Sequence, residues 1–87
     1  MQFNAAVEDA IAQAAWRYGA DTDALRAAIV AESAQELAEV LRIDRDAAES
    51  RLAPIRRALA VRDDLGAGCR LLTDEVQREL LDAIARL

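Results

Sequence analysis

Histidine and lysine do not occur in this chain, and cysteine and proline occur once each, as Cys69 and Pro54. A lone cysteine excludes an intrachain disulfide. Without histidine, a zinc site of the usual Cys/His kind is excluded as well. The commonest general base is missing, and there is neither a glycine-rich phosphate loop nor a nucleophile with a base near it in sequence. Acidic residues are plentiful, but paired acids on helix surfaces usually form solvated faces. An enzyme is not expected, and neither is a cofactor or a bound metal. Aromatics are limited to Phe3, Trp16 and Tyr18, so the core must rely on leucine, isoleucine, valine and alanine, which suits closely packed helices. No run of about eighteen apolar residues exists, and the N-terminus lacks the basic and apolar regions of a signal peptide. The expectation is a soluble, cytoplasmic chain with no membrane contact.

The chain has 87 residues, enough for one domain with a single modest core over residues 1–87. All eleven basic residues are arginine, set against sixteen acids. Their distribution is uneven. Residues 1–41 hold two arginines against seven acids, a net of −5. Residues 42–62 hold six arginines against three acids, a net of +3, and residues 63–87 hold three against six, a net of −3. The one positive segment therefore lies in the middle of the chain.

Hydrophobic spacing divides the chain into helices. Asn4 is a good N-cap for a helix over 4–18, with Val7, Ile11, Ala14 and Tyr18 on one stripe and Glu8 and Asp9 at its positive end. Trp16 falls off that stripe, beside Ala5 and Ala12. It is expected to close a second packing surface, with an anchor for a partner or a second copy as the alternative. Gly19 suits a left-handed helix end, and Asp21 or Asp23 suits the cap of a helix from about Ala24 to Ala31 that buries Leu25 and Ile29.

The stretch from Glu32 to Leu59 then reads as two helices around a tight polar turn. Ser33 caps the first, over about Ala34 to Leu41, with Leu37, Val40 and Leu41 on one face. Asp44 caps the second, in which Ala48, Leu52, Ile55 and Leu59 recur at spacings of four, three and four. Joined by Arg42, Ile43 and Asp44, they make a helix-turn-helix candidate, whose core is placed at residues 25–60. Pro54 deletes a backbone bond in the second helix, which must kink there or end and restart.

Residues 60–73 admit two readings. In one they form a wing, with strands around Ala60 to Asp63 and Cys69 to Thr73 and a turn carrying Gly66 and Gly68. In the other, helix continues from Pro54 to Leu65 and stops at Gly66. Thr73 caps a last helix in either case, with Val76, Leu80, Ala83, Ile84 and Leu87 on its apolar face. The fold expected is mainly α, a winged helix-turn-helix with extra N- and C-terminal helices; the alternative is an all-α helical bundle.

With that order of elements, residues 25–82 resemble the winged helix-turn-helix regulators of bacteria and archaea, particularly the small arsenical-repressor and multiple-antibiotic-resistance types. The resemblance rests on SAQELAEVLRIDRDAAESRL at 33–52, where Glu36-Leu37-Ala38 precedes a short turn and Arg45 opens the next helix. It rests also on VRDDLGAGCRLLTDE at 61–75, similar to that family's wing and the acidic helix start after it. The resemblance implies a helix from Arg45 in the major groove of double-stranded DNA, with Arg45, Asp46, Glu49, Ser50 and Ala53 toward base edges. It makes Arg42, Arg57 and Arg62 candidates for contacts to the DNA backbone. Metal sensing is not implied, because the Cys and His ligands of the metal-sensing members are missing.

Three readings follow, two of them binding functions. One is a DNA-binding transcriptional regulator, dimeric, in which the local charge of residues 42–62 outweighs the acidic remainder at close range. The other is an acidic winged-helix or helical module that binds another protein, as a regulator, an adaptor or a phage-type inhibitor. The second is supported by the acidic balance and by Asp63 and Asp64 at the wing tip, while the nearly neutral outward face of Asp46, Ser50, Ala53 and Arg57 weighs against the first, since acids that oppose phosphate are unfavourable unless paired. A purely structural bundle, with these arginines as a solvated face, is the third reading.

Overall fold

The computed structural model describes residues 3–64 and 74–87. Within them the chain forms five helices: α1 (Ala5–Tyr18), α2 (Thr22–Ala31), α3 (Ala34–Leu41), α4 (Arg45–Asp64) and α5 (Asp74–Ala85). Each packs on its neighbour in sequence, and α5 returns to pack on α1, so the helices close a ring around one core. Val7, Ile11, Leu25, Ile29, Leu37, Leu52, Ile55, Leu59, Leu80 and Ile84 fill that core. No polar or charged side chain is buried among the described residues.

Short polar side chains set where the helices begin. Asn4 Oδ1 accepts from the Val7 N–H at 3.0 Å, Asp21 Oδ2 from Ala24 at 2.9 Å, Ser33 Oγ from Glu36 at 3.2 Å and Asp44 Oδ1 from Ala47 at 3.0 Å. Each satisfies one of the backbone donors that a helix start leaves without a partner. The second helix starts at Thr22 because Asp21, rather than Asp23, is the cap.

The ends of α1, α2 and α3 share one device. Gly19, Glu32 and Arg42 take left-handed φ values of 64°, 52° and 57°. The N–H groups of Ala20, Ser33 and Ile43 then reach back to the carbonyls of Ala15, Ala28 and Ala38 at 2.8, 3.3 and 3.1 Å. This is the Schellman arrangement, for which glycine is the usual residue because it carries no Cβ. Only the first of the three sites uses it. At Glu32 and Arg42 an ordinary side chain is held in a left-handed conformation by the helices on either side.

The expected wing is not what residues 60–64 form. They continue α4, which runs unbroken from Arg45 to Asp64, and no strand occurs among the described residues. The wing needed a strand around Ala60 to Asp63, but Asp63 is a poor strand former. The packing of Ala58 and Leu59, both buried, extends the helical stripe instead. The turn and second strand of the wing reading, with Cys69 and the Thr73 cap, fall at 65–73, outside the described residues. The fold is therefore the all-α alternative.

Pro54 does not end the helix either. It lies inside α4, and its missing N–H is the one that residue 50 would otherwise receive. Ser50 is exposed, so water can reach its carbonyl. The buried residues on either side, Leu52 and Ile55, hold both halves of the helix against the same core.

Side chains brace the ring. Arg26 Nε donates to Glu8 Oε2 at 2.8 Å, tying α2 to α1. Its pKa is raised above the ordinary arginine value, first by the hydrogen bond to Glu8 and then by the one to Asp23. Arg17 donates to the carbonyl of Ala85 at 3.0 Å, capping the end of α5, and Asn4 Nδ2 donates to Gln77 Oε1 at 2.7 Å near its start. Start meets start and end meets end, so α1 and α5 run side by side in the same direction.

Candidate binding surfaces

Two surfaces merit comparison: the start of α4 with the turn before it, and the outer face of α1. The first is the helix-turn-helix of the sequence. Arg42, Ile43 and Asp44 connect α3 to α4, and the left-handed Arg42 turns the chain. Ala48 and Leu52 are buried, which leaves Arg45, Asp46 and Ser50 exposed, with Arg57 two turns beyond Ser50 and also exposed. The residues assigned to base edges thus share a face, on which Glu49 and Ala53 are half-buried. Arg62 lies on α4, but its side chain is outside the described part of the structure.

Electrostatically this face is modest. Arg51 donates to the Tyr18 hydroxyl, and its guanidinium carbon stands 5.9 Å from the ring centroid. Arg56 donates to the Glu32 carbonyl at 2.9 Å and pairs with Glu49 at 2.9 Å. Two of the six arginines that made residues 42–62 positive are therefore engaged within the fold, and Arg56 supports the strained Glu32 turn. Arg42, Arg45 and Arg57 have no side-chain partner among the described residues. Asp46 stands beside Arg45, and Asp44, which caps α4, directly precedes it.

Arg57 also lines an open groove of about 400 Å³ between α4 and α5, together with Pro54, Glu79, Asp82, Ala83 and Arg86. Two carboxylates thus lie close to Arg57, which lowers its attraction for phosphate. Spacing along α4 alone could not reveal them, because they come from α5.

On the outer face of α1, Trp16 is 84% exposed. The expected second packing surface is not formed, because no described element covers that side of the helix. Ala5, Asp9 and Ala12, at spacings of four and three before Trp16 is reached at four more, are exposed with it. They lie on one stripe of the helix. Two of them end at Cβ, so a partner could approach the backbone closely beside the indole. Asp9 has no ion pair among the described residues, whereas its neighbour Glu8 is held by Arg26.

No group of three or more residues able to hold a metal ion stands together among the described residues, and no helix there is long and apolar enough to cross a membrane. No protein-family model matches the chain, and neither a curated protein nor a solved structure does.

Proposed function

We propose that this chain is a small helical protein-interaction module that docks through the outer face of α1, with Trp16 as its anchor. The observation that carries this reading is the exposure of Trp16, 84%, on a stripe otherwise made of Ala5, Asp9 and Ala12. Tryptophan is enriched among the residues that dominate protein interfaces, and its ring gains most when it leaves water. The acidic balance of the chain, −5, suits a protein partner better than a polyanion. The test is a photo-crosslinking residue at position 16 and, separately, at position 36, in cells. A discrete protein adduct from position 16 and none from 36 supports the reading. Equal labelling from both positions, or none from 16, overturns it.

A second reading, a helix-turn-helix DNA-binding regulator, is favoured by the common exposure of Arg45, Asp46 and Ser50 on the first turns of α4, next to Arg42. In this reading Arg42, Arg57 and Arg62 contact phosphates, while Arg45, Glu49 and Ser50 face bases. Titrating labelled duplex DNA at low and at moderate salt separates the two readings. Binding that survives moderate salt and is unaffected by Trp16→Ala would put the second reading first. With DNA bound, Arg57→Ala lowers affinity on every sequence, while a change at Ser50 alters preference among sequences.

A further inference from the structure

Both ends of α3 are turns in which an ordinary side chain sits in the left-handed region: Glu32 at φ 52° before it and Arg42 at φ 57° after it. A residue with a Cβ resists that region, and such positions persist only where the surrounding structure imposes them. The two turns are not imposed alike. At the first, Arg56 of α4 donates to the Glu32 carbonyl at 2.9 Å, and another nitrogen of the same guanidinium donates to Glu49 Oε2 at 2.9 Å. Arg42 has no side-chain bond of this kind among the described residues. We propose that α3 is a hinged lid on the core, latched at its first hinge by Arg56, which opens as a unit while the other four helices stay packed.

The place of α3 in the ring supports this device. It is the shortest of the five helices, with eight residues, and it buries only Ala34, Leu37 and Leu41. Its main packing partners are its two neighbours in sequence, α2 and α4. The ring is closed elsewhere, by α5 packed on α4 and on α1. Arg17 on the Ala85 carbonyl, Asn4 on Gln77 and Arg26 on Glu8 brace that side, and none of these bonds involves α3.

Opening loses the burial of two leucines and one alanine, and it releases both left-handed turns. What opposes it at the first hinge is the arginine, whose bonds are charge-assisted and partly buried. Elements that move in a fold are drawn from its least stable part. An open lid uncovers apolar surface of the core, and a partner holds it open only by binding that form better than the closed one. Neither the lid nor its latch involves the outer face of α1.

The test is native-state hydrogen exchange on the full chain. Two amides report on the lid: Leu37, which donates to the Ser33 carbonyl, and Ile43, which donates to the Ala38 carbonyl. Two report on the rest, those of the buried Ile11 in α1 and Leu80 in α5. In the parent, the lid amides exchange faster than the other two, and their rates stay nearly flat as denaturant is added, because a small opening exposes little surface. Arg56→Ala removes the latch and raises the rates at Leu37 and Ile43 about tenfold, the weight of a charge-assisted bond that is partly exposed. Arg26→Ala breaks the tie between α1 and α2 instead. It speeds exchange at Ile11 and Leu80 and leaves Leu37 and Ile43 unchanged, because the open form keeps that tie. Should Arg56→Ala fail to fold, Glu49→Gln replaces it, with a smaller effect of the same sign. Lid amides that exchange in step with Ile11 and Leu80 in the parent would overturn the proposal. So would a latch variant that leaves them unchanged, or an Arg26→Ala form that speeds all four alike.

Discussion

The helix-turn-helix pair and the outer face of α1 treat their side chains in opposite ways. Around α3 and α4, three of the polar side chains are engaged internally: Asp44 caps a helix, Arg56 holds a turn and Arg51 meets Tyr18. On α1, the largest side chain in the protein meets none of the described elements. A recognisable motif can thus be mainly a way of building the fold, while an inconspicuous stripe of alanine around one tryptophan carries the unsatisfied surface.

Breaking the first region should cost the fold; breaking the second should not. The largest effect is expected at Leu52, fully buried at the centre of α4. Leu52→Ala should destabilise by about 2–5 kcal/mol in a denaturant titration, because it removes contacts and leaves a cavity. Next is Pro54→Ala, which should stabilise the protein by about 1–3 kcal/mol by restoring a backbone bond inside a continuous helix. If it destabilises instead, the proline fits a kinked geometry that alanine cannot supply.

A smaller gain, about 1 kcal/mol, is expected from Arg42→Gly, since glycine takes the left-handed conformation without a Cβ penalty. This variant also sharpens the contrast between the two readings. If α4 reads DNA, the more stable protein binds duplex less well; if α1 is the docking face, its association is unchanged. The smallest effect on stability is expected at Trp16. Trp16→Ala should change unfolding free energy by no more than about 0.5 kcal/mol, as for an exposed residue, while docking through α1 weakens at least about tenfold.

Much of this architecture can be read from the residues themselves. Asn4, Ser33 and Asp44 stand just before apolar residues at helical spacing, and a cap of that kind acts within three residues, so local sequence suffices. Gly19 marks a helix end for the same reason. The left-handed turns at Glu32 and Arg42 are not legible in this way, because neither residue prefers that conformation and tertiary packing imposes it. At α4 local rules leave two outcomes open: Pro54 suggests a kink or a break and Gly66 and Gly68 a hairpin, while the reading of helix running on toward Leu65 agrees with α4 as far as Asp64. The stripe through Ile55, Ala58 and Leu59 is what prevails up to Asp64.

For the candidate sites the limit is sequence distance. Spacing along α4 identifies which arginines point outward, but Arg51 is engaged by Tyr18, 33 residues away, and Arg56 by Glu32, 24 residues away. Arg57 acquires Glu79 and Asp82 as neighbours only when α5 folds back. Trp16 is the reverse case. Its position off the buried stripe is evident from spacing, and the expectation that something covers it is what the fold corrects.

Trp16 is the only tryptophan in the chain, so its fluorescence reports on one side chain without labelling. Its emission should be that of an indole in water, as its exposure requires. A spectrum that is blue-shifted in the protein alone in dilute solution would contradict an anchor that stands in water until a partner covers it.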